Sequence, residues 1–120
     1  MAKKVTRIYT GSDGKSHFED IEIALEDEEA RGLRSERMKA TEILFGEQDS
    51  GFKYDWHNAP CRQFVITLEG EGEIEIGDGT KRRFRAGDVL LAEDTTGRGH
   101  ITRVINNQPR KSVIVTLDQR

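Results

Sequence analysis

The sequence predicts an all-β fold, an antiparallel sandwich or barrel, on the basis of three features. From Met38 onward, short β-like runs are separated by Gly, Asp and Asn, which is typical of antiparallel sheets. Segments with a helical pattern are scarce. The length of 120 residues leaves room for one hydrophobic core. We therefore expect one domain, in which residues 38–120 form the barrel and residues 1–37 supply strands and a loop that pack on it.

Each strand is predicted from a β-like run bounded by turn residues. The first two runs flank residues 11–14 like a hairpin, and the glycines of 77–80 can take the positive φ that another tight hairpin requires. Residues 26–37 are rich in Glu and Arg and are predicted to form a solvated loop or one short helix, because Gly32 costs a helix about 1 kcal/mol relative to Ala. The predicted strands are 5–10, 17–25, 41–45, 61–68, 72–76, 81–85, 88–92, 101–105 and 112–117.

Composition and charge exclude several classes of function. Nineteen basic and 22 acidic side chains give a formal net charge of −3, with the signs mixed along the chain, so no face for nucleic acid is expected. The apolar runs 64–66 and 113–115 are far shorter than the roughly 20 residues of a membrane helix. The N-terminus lacks a secretory pattern, so a cytoplasmic location is expected. Cys61 is the single cysteine, which excludes an intramolecular disulfide and a multi-thiolate zinc site within one chain.

Alternation along residues 57–68 predicts two different faces. Side chains of a strand alternate between faces, so Phe64, Ile66 and Leu68 would share an apolar outer face that a second layer or a partner subunit must cover. A polar imidazole and an amide among small residues on the inner face indicate a cavity. Pro60 weakens this pattern because it removes a donor and can bend the strand. The predicted inner face comprises His57, Ala59, Cys61, Gln63 and Val65.

The glycine and histidine spacing from Gly51 to Gly70 resembles the first motif of the cupin barrels, G-x5-H-x-H-x3 or 4-E-x6-G. Gly51, His57 and Gly70 match it without a gap, whereas Ala59 replaces the second histidine and Gln63 replaces the glutamate. The resemblance implies a small single-domain cupin: an antiparallel β-barrel of the double-stranded β-helix, or jelly-roll, type.

The second cupin motif, G-x5-P-x-G-x2-H-x3-N, is matched less completely. Gly87 aligns with its first glycine, and Gly97 and His100 align after an insertion of about two residues. Glu93 stands in place of the proline and Val104 in place of the asparagine. The resemblance covers roughly residues 40–117.

The family resemblance implies a divalent ion of iron, manganese, nickel, copper or zinc, held by three histidines and a glutamate. Carried over by position, His57 and His100 remain as ligands, and Gln63 offers a neutral third ligand. A site without the carboxylate binds a cation more weakly. Gln63 could instead hydrogen-bond His57 and hold its tautomer. Cys61 could supply a thiolate or be a small buried hydrophobe.

Further pocket residues are predicted beside the histidines. Tyr54 and Trp56 precede His57 and would either line the mouth of the barrel or plug its end as core. In the loop before His100, Asp94 and Arg98 could bind a polar ligand or pair with each other on the surface. The predicted ligand pocket therefore comprises Tyr54, Trp56, His57, Ala59, Cys61, Gln63, Asp94, Arg98 and His100.

Three functions remain open from the sequence. The first is a metal-dependent enzyme of dioxygenase, isomerase or lyase type that uses His57 and His100. The second is a metal-free module that binds a small molecule in the barrel, with no cofactor. The third is a vestigial barrel, filled by side chains, that serves oligomer contacts. A homodimer is expected in each case, because cupins commonly pair through outer strands; neither nucleic acid nor a membrane is an expected partner.

Overall fold

The computed structural model describes residues 1–118, and within them it is 61% strand and 3% helix. The all-β prediction is therefore confirmed. One 3₁₀ turn, Glu29–Arg31, is the helical element of this range, and no helix there is long and apolar enough to cross a membrane. The strands are β1 Ala2–Thr10, β2 Ser16–Ala24, β3 Glu26–Asp27, β4 Leu33–Arg34, β5 Ala40–Gln48, β6 Lys53–His57, β7 Gln63–Glu69, β8 Glu71–Glu75, β9 Lys81–Arg85, β10 Val89–Glu93, β11 His100–Ile105 and β12 Arg110–Leu117.

The strands form two main sheets. The larger has the order β2-β1-β10-β7-β12-β5 and the smaller has the order β6-β11-β8-β9, while β3 and β4 form a separate small hairpin. Strand β1 pairs in parallel with β10, from Thr6 opposite Leu90 to Tyr9 opposite Glu93. The other pairings are antiparallel. The N-terminal hairpin therefore extends the larger sheet through direct backbone hydrogen bonds.

Alternation along β10 divides the apolar core into two clusters. Leu90 and Ala92 face the smaller sheet, where they pack in one cluster with Ile74 of β8 and Phe84 of β9. The side chain of Leu91 points the opposite way, into a second cluster that includes residues of β1 and β12. Strand β10 is therefore buried on both faces, which explains its almost continuous apolar sequence.

The outer face of the larger sheet is only partly covered. Phe64 packs against the second cluster, as the alternation predicts for an outward side chain that needs cover. Leu68 on the same strand is 51% exposed, and Ile43 and Phe45 of the edge strand β5 are 60% and 79% exposed. A substantial apolar surface therefore remains on β5, β12 and β7.

The strand predicted over 61–68 is observed as β7, but residues 57–65 do not form the continuous extended segment on which the predicted inner face depended. Strand β6 ends at His57 and β7 begins at Gln63, and the intervening residues bend. Pro60 has no N–H to donate, and the N–H of Ala59 donates to the carbonyl of Asp94, 3.2 Å away, instead of to a neighbouring strand. Strand β6 itself was not predicted.

The structure partly confirms the prediction for the charged run 26–37. Its residues are solvent-exposed and include one short 3₁₀ helix, as expected, but the run also contains two short strands. Glu26 pairs with Arg34 and Asp27 with Leu33, so two short strands enclose the 3₁₀ turn. Gly32 has a φ of 77°, which lets the chain leave that turn and reverse direction.

Candidate functional site

A cavity of about 280 Å³ lies between the two sheets. Its apolar wall includes Val65, Ile74, Leu90 and Ile114, which come from four different strands. Its polar lining includes the imidazoles of two histidines, the side-chain amide of a glutamine and a guanidinium. The vestigial-barrel hypothesis predicts an interior filled by side chains, and this cavity contradicts it. The inner surface combines a hydrophobic body with a few polar groups, which is typical of small-molecule sites.

His100 is held in the cavity wall by a buried carboxylate. Its Nδ1 donates to Oδ2 of Asp94 over 2.6 Å, and the Ser16 hydroxyl donates to the same oxygen over 2.7 Å. Asp94 is fully buried and His100 is 4% exposed. A proton on Nδ1 leaves the lone pair of Nε2 free, so Asp94 determines both the tautomer and the ring orientation of His100.

His57 is positioned by its neighbours on β6. Its ring stacks on that of Tyr54, with centroids 3.6 Å apart and an interplanar angle of 4°. Its Nδ1 lies 2.7 Å from the carbonyl oxygen of Asp55, and a carbonyl only accepts, so Nδ1 carries the proton. The rings of His57 and His100 approach edge to face, with centroids 4.4 Å apart. Burial lowers the pKa of His57, although the hydrogen bond to the Asp55 carbonyl opposes this effect, so the neutral imidazole is favoured.

Gln63 and Cys61 differ from their expected roles. Gln63 lines the cavity from β7, but among residues 1–118 it makes no hydrogen bond to His57. Its Oε1 accepts a weak bond from Sγ of Cys61, 3.7 Å away. Cys61 lies in the bent segment before β7 and is not part of the cavity lining, because the strand that would have pointed it inward is interrupted.

Trp56 and Arg98 lie outside the cavity. The guanidinium of Arg98 lies 5.5 Å from the ring centroid of Trp56, and both side chains are exposed. Asp94, expected either to bind a polar ligand or to pair with Arg98 on the surface, is fully buried behind His100 and does not pair with Arg98. Tyr54 and Ala59 do line the cavity, and Tyr54 remains 52% exposed at its mouth.

Glu93, which stands at the proline position of the second motif, anchors the loop that carries Asp94. Its carboxylate accepts a hydrogen bond from Nε of Arg7 at 2.5 Å and another from Nε of Arg62. Burial raises the pKa of Glu93, but the hydrogen bonds from both guanidinium groups outweigh burial and leave that pKa below its ordinary value. Glu93 thus ties β10 to β1 and to the segment before β7, and it has no place in the cavity.

Several polar residues of the cavity were missed by sequence reasoning. Arg110, Gln48 and Ser112 belong to the lining and lie outside both motifs, and Thr102 belongs to it from a variable position of the second motif. Arg110 follows Pro109 and precedes the strand predicted to begin at residue 112. If that strand is extended by two residues, Arg110 falls on the same face as Ser112, because side chains two apart on a strand share a face. This alternation is the one sequence signal for Arg110.

The donor atoms present do not match the four-ligand metal site that the motif implies. Across residues 1–118 no three His, Cys, Asp or Glu side chains come together in a group that could hold a metal ion. Ala59 stands at the second histidine position and packs in the core cluster, and Gln63 contributes no charge. The lining adds a cationic Arg110 instead of a carboxylate. The residues present therefore do not fit the metal ion that the motif implies.

Comparison with solved structures identifies the fold. A Cupin 2 conserved barrel domain protein from Salinispora arenicola matches with a TM-score of 0.52 and 21% identity, over 63% of this chain and 61% of that one. The domain has the cupin fold. A Cupin 2 conserved barrel domain protein from Leptotrichia buccalis matches 97% of this cupin domain and 41% of its own chain, at a TM-score of 0.51 and 14% identity. The conserved protein SPY1581 of unknown function from Streptococcus pyogenes matches 70% of each chain, at a TM-score of 0.50 and 18% identity.

These similarities extend to the fold of the cupin domain and no further. The match spans less than two thirds of the Salinispora protein and less than half of the Leptotrichia protein. No family model matches the sequence. No curated protein matches it either. The resemblance seen in the glycine and histidine spacing is thus confirmed as a cupin-type fold, and function must be argued from the site.

Proposed function

We propose that this cupin domain binds a small polar molecule without a metal ion, through the Nε2 atoms of His57 and His100. The observation that carries the proposal is the fixed orientation of both rings. Each Nδ1 is occupied by an acceptor, the Asp55 carbonyl in one case and the Asp94 carboxylate in the other. Both Nε2 atoms are thereby left free to hydrogen-bond a ligand at one end of the cavity.

The arrangement suits a ligand that carries a hydroxyl or N–H group. A neutral imidazole accepts such a hydrogen bond through Nε2, and the lowered pKa of His57 keeps it in that form near neutral pH. Asp94 would stabilise His100 if it took a proton from the ligand, as a buried carboxylate does for an adjacent imidazole. Binding therefore requires no metal ion or cofactor. Proton transfer is the reaction that the pair of His100 and Asp94 could support.

The proposal predicts ligand binding that depends on His57 and is insensitive to chelators. A panel of hydroxylated and amino compounds small enough for the cavity is screened by thermal shift and confirmed by calorimetry. For each compound that binds, His57→Phe should weaken affinity by about tenfold, because it keeps a ring against Tyr54 and removes the Nε2 acceptor. EDTA should leave affinity unchanged.

A matched control is His17→Phe. His17 lies in the N-terminal hairpin, where it bonds to Asp13 at 3.0 Å outside the cavity, so its replacement should not alter affinity. Loss of binding in EDTA, tight stoichiometric uptake of iron, manganese, nickel, copper or zinc, or the absence of any binding compound would contradict the proposal.

We also propose that a second copy of the chain covers the apolar outer face of β5, β12 and β7. Strand β5 ends the larger sheet, and its Ile43 and Phe45 lie beside Val115 and Val113 of β12 in the antiparallel register. Exposed apolar surface of this extent on an edge strand favours association. Self-pairing through this face would bury the side chains that the single chain leaves in water.

Light scattering after size exclusion is expected to give a dimer at micromolar concentration. Phe45→Glu places a charge in the proposed interface and should shift the protein to monomer. Leu33→Glu is the matched control, because Leu33 is 45% exposed on the separate β3–β4 hairpin. A monomeric wild-type protein, or equal effects of the two substitutions, would contradict the dimer.

A further inference from the structure

Arg110 is a buried cation in the cavity wall. It begins β12, its residue is 6% exposed, and its side chain lies across Gly72 of β8. A Cβ on Gly72 would lie 2.9 Å from Arg110 Nε, so the absence of a side chain at position 72 makes room for the guanidinium. Arg110 Nη2 donates to the hydroxyl oxygen of Thr67 over 2.9 Å. The sequence thus provides a specific place for this side chain inside the barrel.

The charge of Arg110 has no counterion among residues 1–118. No carboxylate in this range forms an ion pair with it, and its Nε has no hydrogen-bond acceptor there. Burial lowers the pKa of Arg110, and no neighbouring acid opposes that effect. An unpaired buried charge is unfavourable for a folded protein, because it loses hydration without gaining a partner.

A second unpartnered polar atom lies beside Arg110. Gln48 of β5 is directly opposite Arg110 in the strand register, and its buried Oε1 has no donor within the described chain. Both side chains line the cavity. Of the three buried side-chain polar atoms without a partner in residues 1–118, two therefore belong to this pair, while the third is Oδ1 of Asp94.

Arg110 and the histidines lie at opposite ends of the cavity. In the smaller sheet Ile101, next to His100, pairs with Glu75, whereas Val104 pairs with Gly72, beneath Arg110. Three residues along a strand span about 10 Å. Between these ends the wall includes Ile74 of β8 and Thr102 of β11, which pair directly in the strand register. A ligand that touched both ends would be polar at each end.

We propose that Arg110 binds the carboxylate of the ligand, so that the pocket selects small monocarboxylic acids with a hydroxyl or N–H group at the far end. This inference rests on the proposed function of the same cavity. One carboxylate neutralises one guanidinium, and the planar fork of arginine matches its two oxygens. A phosphate dianion would bring a second negative charge for which the described lining has no cation.

Matched acid and amide pairs test the inference. The probes are 4-hydroxybenzoate against 4-hydroxybenzamide and 4-hydroxybutyrate against 4-hydroxybutyramide, measured by calorimetry on the wild-type protein. Each pair differs in the charge that Arg110 would bind and keeps the hydroxyl for the histidines. The acid is expected to bind about tenfold or more tightly than its amide in at least one pair. Inorganic phosphate at the same concentration should not displace it.

Arg110→Met should abolish the preference for the acid, so that acid and amide bind the variant with similar affinity. The same substitution should preserve or raise the melting temperature of the ligand-free protein, because it removes an unpaired buried charge. Arg103→Met is the matched control: Arg103 bonds Glu75 at 2.8 Å, does not line the cavity, and should keep the preference when replaced.

The outcomes separate this inference from the proposed function. Equal affinity for acid and amide, a preference that persists in Arg110→Met, or displacement by phosphate would overturn the carboxylate inference, even if other compounds bind through His57. Failure of all four probes while panel compounds bind would overturn it as well. The acid–amide comparison in wild-type protein decides the question even if the Arg110 variant does not fold.

Discussion

Gly99→Ala is expected to destabilise the protein by about 3 kcal/mol or more. Gly99 has a φ of 75°, and a Cβ built on it would lie 2.0 Å from the carbonyl oxygen of His57 and 2.5 Å from its carbonyl carbon. Both contacts are with backbone, so they cannot be relieved by moving a flexible side chain. The two segments that carry His57 and His100 would have to separate. Urea denaturation monitored by circular dichroism measures the loss.

Gly87→Ala is the matched control for this prediction. Gly87 also has a positive φ, 91°, but a Cβ there would meet nothing within 4 Å. Its replacement should therefore show only the conformational cost, about 1 kcal/mol. If the Gly87 and Gly99 variants lost the same stability, the close approach of Gly99 to His57 would not be the reason for the glycine.

Asp94→Ala is expected to cost about 2–4 kcal/mol and to release His100 from its tautomer. The substitution leaves Nδ1–H of His100 and the hydroxyl of Ser16 buried without their shared acceptor. It also leaves a void where a fully buried side chain stood. Denaturation gives the stability change, and ¹⁵N NMR of the imidazole rings distinguishes protonation at Nδ1 from protonation at Nε2.

The control for Asp94 is Asp20→Ala, because Asp20 also pairs with a cation but remains solvent-exposed. Its partner is Arg82 at 2.5 Å, and an exposed ion pair contributes about 1 kcal/mol or less. Asp94→Asn should preserve the shape and still alter the His100 NMR signals. Unchanged ¹⁵N shifts in both Asp94 variants would show that the carboxylate does not set the tautomer.

The glycine and histidine spacing predicted the barrel through its resemblance to the first cupin motif, and the structure shows what the glycines of that motif do. Gly51 and Gly70 both have positive φ in the structure, 82° and 76°. The same spacing placed His57 and His100 on strands that meet, where they pair directly in the register of β6 and β11. The positive-φ glycines and the placement of the histidines on strands depend on turns and alternation within a few residues, so a short sequence pattern was enough to predict them.

Residue roles that depend on distant segments were not predictable in this way. The inward orientation expected for Cys61 assumed a continuous strand, and the bend at Pro60 interrupts it. Asp94 was expected at the surface or against a ligand, but Ser16, distant in sequence, and His100 together enclose it. Whether a carboxylate is buried depends on what the rest of the chain packs over it.

The sequence by itself determined the all-β class, because strand alternation and turn residues are local properties, and its resemblance to the cupin motifs implied the barrel type and the two histidines. Only the tertiary structure decided that Asp94 orients His100 and that Arg110 lies inside the barrel with no counterion among residues 1–118. Arg110 reaches the cavity because β12 pairs with β7, which carries Thr67, and because Gly72 on the opposite sheet leaves space for it. Burial and charge balance arise from contacts between strands far apart in sequence, so the cationic end of the pocket becomes visible only once those strands are assembled.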